Sequence, residues 1–355
     1  MKNTNRHETD RPKTINLLSQ SLWSYCLKVL TKNKILPTLL VCFILSSCAN
    51  SSFVTRTVKK VFDKGGVKAN NALENYTPSN VTVVFNEQYD SADSDALCDV
   101  YFPEQLGDSR TFPLIVWIHG GAWVAGSKDQ MANYCRMLAS SGYVVAAVNY
   151  SLAPNKRYPA QIAQVNSALA YLLSQSKRFH VDTAQVLIGG DSAGAQLAAQ
   201  LGNAAYLSSY ADLLGITPAL QSNQLKGLIL FCGAYDLNKI KMKGLSGSFS
   251  KNVLRSYSGV KDFMNDSLFA TVSVHNYITK NYPPAFISVG NSDPLQEHSY
   301  GLAQKLSELG VKTDTLFFEK DYRPKLPHEY QFNLDTEAGK IALKRTVDFI
   351  RLQTQ

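Results

Sequence analysis

The chain has 355 residues, 45% hydrophobic and 18% charged, which excludes a disordered, collagen-like or polytopic membrane chain and allows one large α/β core or two smaller domains. Its net charge of +8 is uneven: residues 1–47 hold seven Lys/Arg against two acids, or +5, leaving +3 for the rest. A body so weakly basic lacks the charged stripe that nucleic acid requires, so no nucleic-acid partner is expected.

In chain order, the first feature is an apolar run from Ile35 to Leu45, interrupted by Pro37 and Thr38. Lys28, Lys32 and Lys34 precede it; Ser46, Ser47 and Cys48 follow. A positive flank, an apolar stretch of ~7–15 residues and small residues predict a secretory signal over residues 1–47. The run is too short to span a bilayer, which takes ~20 apolar residues. Leu45-Ser46-Ser47-Cys48 resembles the lipobox of bacterial lipoproteins. That resemblance implies cleavage before Cys48, acylation of Cys48, and an exported protein anchored to a membrane of the cell envelope. The alternative is a soluble secreted or periplasmic protein.

Residues 48–80 read as a tether. Phe53, Val54, Val58, Val61 and Phe62 have helical spacing, and Gly65-Gly66 is expected to end that helix. Beside Lys59 and Lys60 the segment rests on the membrane surface, packs on the body, or frays.

From residue 81 to 355 the pattern is one α/β domain. β-rich runs fall at Val81–Phe85, Leu97–Phe102, Pro113–Ile118, Tyr143–Val148, Gln185–Gly189, Leu225–Phe231, Ala285–Gly290 and Thr313–Phe318. Helical patterns fall at Lys128–Ser141, Pro159–Gln175, Ser192–Tyr206, Gln296–Leu309 and Thr336–Leu352. Continuous apolar runs between helices predict a mostly parallel sheet, buried on both faces. About residues 237–283 the rhythm fails. A stretch that long without a strand reads as a functional insertion, a cap over the C-terminal ends of the strands.

Two local patterns carry chemistry. Gly190-Asp191-Ser192-Ala193-Gly194 fits G-x-S-x-G between a β-run and an Ala/Leu-rich helix, the context of a nucleophile elbow. Ser192 at a helix N-terminus has partial positive charge near any developing alkoxide. His119-Gly120-Gly121-Ala122-Trp123 follows the third β-run. A Gly-rich loop brings main-chain N–H groups to a carbonyl oxygen that is becoming an oxyanion. The thiols of Cys98, Cys135 and Cys232 lie far apart in apolar surroundings and read as free and buried, with no metal-binding spacing.

Together with Asn149-Tyr150-Ser151-Leu152-Ala153-Pro154, Tyr158-Pro159-Ala160 and Leu97-Cys98-Asp99-Val100-Tyr101-Phe102-Pro103, these motifs resemble the hormone-sensitive-lipase-like, carboxylesterase branch of the α/β-hydrolase fold. The resemblance covers about Leu97 to Leu352. It implies an eight-stranded, mostly parallel sheet with helices on both faces and the order nucleophile, acid, histidine. Ser192 is then the nucleophile. Asp236 and Asp293 are the candidate acids; Gly290-Asn291-Ser292-Asp293-Pro294-Leu295 resembles the family's acid turn, which implies Asp293 as the acid and leaves Asp236 to line the pocket or hold loops. His328, after the last β-run, is the candidate base. Gly120, Gly121, Ala122 and Ala193 are the candidate oxyanion-hole residues, and His119 is implied to be structural.

The chain departs from the family pattern at three points. Ala122 stands for a third Gly. Ser151 stands for an Arg, so any ion pair made by that Arg is lost. Glu329-Tyr330 stands for Gly-Phe after the histidine, and Glu329 is expected to face solvent, raising the pKa of His328 only if it turns inward. The implied function is serine-dependent hydrolysis of a small or short-acyl ester, without metal or organic cofactor. The alternatives are another hydrolase of the fold (arylformamidase, feruloyl or acetyl-sugar esterase) and a non-catalytic binding protein.

Overall fold

The computed structural model describes residues 51–103 and 110–355. The expected signal over 1–47 and Cys48 lie outside the described residues. Eight strands form one sheet in the order β1-β2-β4-β3-β5-β6-β7-β8: β1 (Val81–Gln88), β2 (Leu97–Pro103), β3 (Phe112–Ile118), β4 (Val144–Val148), β5 (Val181–Asp191), β6 (Leu225–Phe231), β7 (Ala285–Val289) and β8 (Thr313–Phe317). The β1–β2 and β2–β4 pairs are antiparallel, and every other pair is parallel.

The apolar runs are continuous because both faces of the sheet are covered. Side chains alternate between faces along a strand. Leu114, Val116 and Ile118 of β3 therefore join the core beneath α3 (Ala160–Ser174), α4 (Ala193–Tyr206) and α7 (Gln296–Glu308). Ile115 and Trp117 join the other core, beneath α2 (Ala132–Ser140) and α8 (Glu337–Gln353). A short helix, α5 (Ser208–Leu214), ends on left-handed Gly215.

The helix end expected at Gly65-Gly66 is corrected. Helix α1 (Ser51–Ala72) runs through Gly65-Gly66 without a break. Each Gly costs ~1 kcal/mol relative to Ala inside a helix, but tertiary contacts hold the chain on both sides of the pair. Asp63 accepts the N–H of Gly126 at 2.9 Å, and Asn70 accepts two hydrogen bonds from Asn133, backbone N–H to Oδ1 at 2.9 Å and Nδ2 to the carbonyl oxygen at 2.8 Å. Val58 is buried in the core.

Between β6 and β7 the chain forms helix α6 (Gly244–Ser258) and single turns at Leu237–Lys239, Phe263–Asn265, Phe269–Val272 and Val274–Tyr277. This segment is locked onto α4 by side-chain amides. Gln196 donates to Val272 O, Gln200 to Thr271 O and Asn203 to Val274 O, at 3.1 to 3.2 Å. Their spacing places them on one helix face. Helix α1 meets the same segment through the Thr55–Ser256 hydroxyl pair, 2.8 Å, and the Phe62–Phe249 ring contact, so the segment packs on the body, one of the three expected placements.

Candidate active site

Strand β5 ends at Asp191 and α4 begins at Ala193, so Ser192 occupies the whole turn. Its φ of 51° and ψ of −114° are strained for an L-residue, and its N–H is held by Phe231 O at 2.8 Å. The small residues flanking it are required by space: a Cβ on Gly194 would stand 1.9 Å from the carbonyl oxygen of Ile118.

The structure brings three of the predicted side chains together. His328 Nε2 lies 3.0 Å from Ser192 Oγ, and His328 Nδ1 lies 2.8 Å from Asp293 Oδ2. Asp293 also accepts Leu295 N–H at 2.7 Å through Oδ1. The acid turn and the histidine loop are tied directly to each other. Leu326 N–H donates to Asn291 Oδ1 at 2.9 Å, and Ser292 N–H donates to Leu326 O at 3.0 Å. Asp236 has a different task. Its Oδ1 accepts Asn238 N–H at 2.9 Å and caps the turn Leu237–Lys239.

The oxyanion loop needs one correction. The N–H of Gly120 donates to Asp191 Oδ2 at 2.7 Å, so it is occupied and is not an oxyanion donor. The N–H groups of Gly121 and Ala122 have no acceptor among the described residues. Ala193 is the first residue of α4, where the N–H has no intrahelical partner. Ala122 and Trp123 take φ of 53° and 60°, so the loop keeps its left-handed path without the third Gly.

Asn149 and Tyr150 explain the first half of their motif. Asn149 Oδ1 accepts Lys128 N–H at 2.6 Å, and Tyr150 OH donates to His119 O at 3.0 Å. The His119 ring stacks on Tyr150 at 4.4 Å and its Nδ1 donates to Gly120 O at 2.7 Å. Burial pushes His119 down to about 4, so it stays neutral and serves as a strut, as the resemblance implied. Ser151 donates to Asp95 at 2.8 Å, and Lys156 forms an ion pair with Asp93 close by.

Two residues beside the site escaped the sequence reading. Asp191 is fully buried, accepting Trp117 Nε1 at 3.0 Å as well as Gly120 N–H. Burial, then the nearby Glu329 charge, push its carboxyl up to about 8 against those two bonds. Cys232 has its sulfur within 4.8 Å of ligand atoms of Asp293 and His328. That thiol, carboxylate and imidazole are the potential metal donors found among the described residues, and two of them belong to the proton relay itself. The variable position of G-x-S-x-G carries no pattern of its own, so the sequence does not mark Asp191.

Glu329 does not face solvent only. Its backbone is left-handed, φ 58° and ψ 30°, and its Oε1 lies 3.6 Å from His328 Nε2. The conformation accounts for the Gly of the resembled motif. Burial disfavours the His328 imidazolium, but Cys232, Asp293 and Glu329 outweigh it and hold the ring well above the usual histidine range. Burial pushes the Cys232 thiol up to about 11.

Comparison with known proteins bears on the fold and the family. The chain is 27% identical over 228 residues to esterase LipQ of Mycobacterium tuberculosis, covering 61% of this chain and 51% of that one. It is 28% identical over 221 residues to esterase LipI of the same organism, covering 61% and 66%. The alignments thus span about half to two thirds of these relatives. The solved structure of esterase B from Lactobacillus rhamnosis superposes with a TM-score of 0.71 at 23% identity, covering 85% of this chain and 97% of that one, which establishes the α/β-hydrolase fold. The BD-FAE family model matches residues 98–306, more than half of the length, and the chain belongs to that family.

Proposed function

We propose that the protein is a serine carboxylic-ester hydrolase working through an acyl-enzyme. The observation that carries this reading is the unbroken relay from Ser192 Oγ through His328 to Asp293, at 3.0 and 2.8 Å, beside unoccupied N–H groups. Ser192 Oγ attacks the ester carbonyl while His328 Nε2 takes its proton. Asp293 keeps the proton on Nδ1 and stabilises the imidazolium. The N–H groups of Gly121, Ala122 and Ala193 receive the oxyanion. Nε2 then protonates the leaving oxygen as the C–O bond breaks, and water repeats the sequence on the acyl-enzyme to release the acid. Trp123, next to the oxyanion loop, is fixed by a stacked contact with Tyr257 at 4.5 Å between rings. The names of the two mycobacterial relatives support the same chemistry.

The test is a hydrolysis screen of p-nitrophenyl esters from acetate to palmitate, with acetylated xylan, feruloyl esters and N-formylkynurenine alongside. Turnover of short-chain esters by the wild type and none by Ser192→Ala is the expected result. Turnover confined to N-formylkynurenine makes the protein an arylformamidase instead.

The leader supports a second part of the proposal: export and lipid anchoring at Cys48. One acyl chain binds membranes only marginally, and two or more anchor stably. No helix among the described residues is long and apolar enough to cross a membrane. Palmitate labelling and fractionation in the native host test the anchor. Label on the wild type and none on Cys48→Ala is expected, and an unlabelled, wholly soluble wild type removes it.

A further inference from the structure

The surroundings of His328 include a carboxylate that the proton relay does not use. Glu329 Oε1 lies 3.6 Å from Nε2, the ring nitrogen that faces Ser192. The same oxygen lies 3.1 Å from the point where a Cβ on Gly120 would stand, so the carboxylate sits between the base and the oxyanion loop. A left-handed Glu is uncommon, and here that backbone turns the side chain over the site instead of outward. Its side chain is 36% exposed, so a substrate can reach it. Among the described residues no Lys or Arg pairs with it; its cationic partner is His328 alone. The nearby Asp191 carboxyl is engaged by Trp117 and Gly120.

We propose that Glu329 is a specificity-determining residue, an anionic wall on the leaving-group side of Ser192 that selects esters of positively charged alcohols over neutral and anionic ones. This rests on the ester-hydrolase reading and names its substrate class. Nε2 must hand its proton to the leaving oxygen, which therefore comes within ~3 Å of that nitrogen. A charge two carbons beyond the oxygen can then come within roughly 5 Å of the Glu329 carboxylate, which itself lies 3.6 Å from that nitrogen. For a half-exposed pair at that separation, a water-like dielectric gives about a three- to tenfold effect on kcat/KM.

The probes are acetylcholine, its neutral isostere 3,3-dimethylbutyl acetate, and anionic 3-acetoxypropanoate. The full chain in detergent, Glu329→Gln and Glu329→Gly are assayed at low ionic strength and at a pH where His328 is fully deprotonated. The Gly variant suits the backbone at this position and guards against misfolding. In both variants the cation-to-neutral ratio of kcat/KM should fall about three- to tenfold and the anion-to-neutral ratio should rise by a similar factor. High salt should move the wild-type ratios towards those of the variants. Ratios that stay fixed while all three rates move together, or while only the pH profile moves, mean that Glu329 acts through His328 and overturn the proposal. So does a wild type that turns over none of the three esters. Fluorophosphonate labelling then separates the two failures: a labelled Ser192 leaves the hydrolase reading standing, and an unlabelled one removes both.

Discussion

The carboxylate of Asp191 receives the N–H of Gly120 at 2.7 Å, so the residue before the nucleophile holds the loop that must bind the oxyanion. One contact thus couples the two motifs: moving the loop also disturbs the strand end that aims Ser192. Asp191→Ala should leave the Gly120 N–H unpaired and loosen the N–H groups of Gly121 and Ala122. Loss of one oxyanion donor costs about 10²–10³ in kcat, and a loosened loop should approach that cost. The check is kcat against KM on a short-chain ester, with unchanged fluorophosphonate labelling showing that Ser192 remains in place.

The same carboxyl makes stability fall with rising pH. Its folded pKa of about 8 lies above its ordinary value of 3.8, so the folded state holds a proton that the unfolded chain releases. The stability present below pH 4 is lost as pH rises towards 8. Asp191→Asn, which cannot ionise, should flatten that slope in urea titrations between pH 4 and 8.

Asp293 and Asp236 separate by mutation. Asp293→Asn removes the acceptor that sets the tautomer of His328 and should cost on the order of 10⁴ in kcat, by analogy with the serine-protease triad. Asp236→Asn should act on stability through the turn Leu237–Lys239, with kcat within about threefold of wild type, because capping interactions contribute only ~1 kcal/mol. The reverse ranking of the two kcat values would show the wrong acid.

His328 sets the acid limb of the pH–rate profile. The base acts in its neutral form, and its pKa is held above 6.5, so kcat/KM should still be climbing above that pH. Glu329→Gln removes one of the charges favouring the imidazolium. Its limb should therefore shift to lower pH, read from kcat/KM for a neutral ester.

A buried ion pair outside the site tests the frame that carries it. Lys128 Nζ lies 2.9 Å from Asp99 Oδ1, with side-chain exposures of 4% and 2%. Lys128→Met should cost about 3–5 kcal/mol by leaving Asp99 buried without its cation. Guanidinium unfolding measures it, and a loss below 1 kcal/mol would mean that Asp99 finds another partner.

The eight strands and five of the helices follow from local patterns. Runs such as Leu114–Ile118 and Leu228–Phe231 are apolar at every position, which only a doubly covered strand requires, and the elbow is a contiguous strand, turn and helix. Helix α6 was not legible because its apolar positions answer to two surfaces, the body and α1.

What the sequence by itself determined is the part governed by short-range sterics and burial: the sheet, the exposed Ser192, the small residues around it, and the order of nucleophile, acid and base. Tertiary structure alone decided the rest. It set the distance from Asp293 to His328, with Asn291 binding the acid turn to the histidine loop across 35 residues. It removed Gly120 from the oxyanion donors because a buried carboxylate claimed its N–H. It carried α1 past two glycines on contacts with Gly126 and Asn133, and it turned Glu329 inward through a left-handed backbone. In each case the deciding energy is a hydrogen bond or a charge contact between residues distant in the chain or brought together by its folding, and no local pattern encodes which partner lies across the gap.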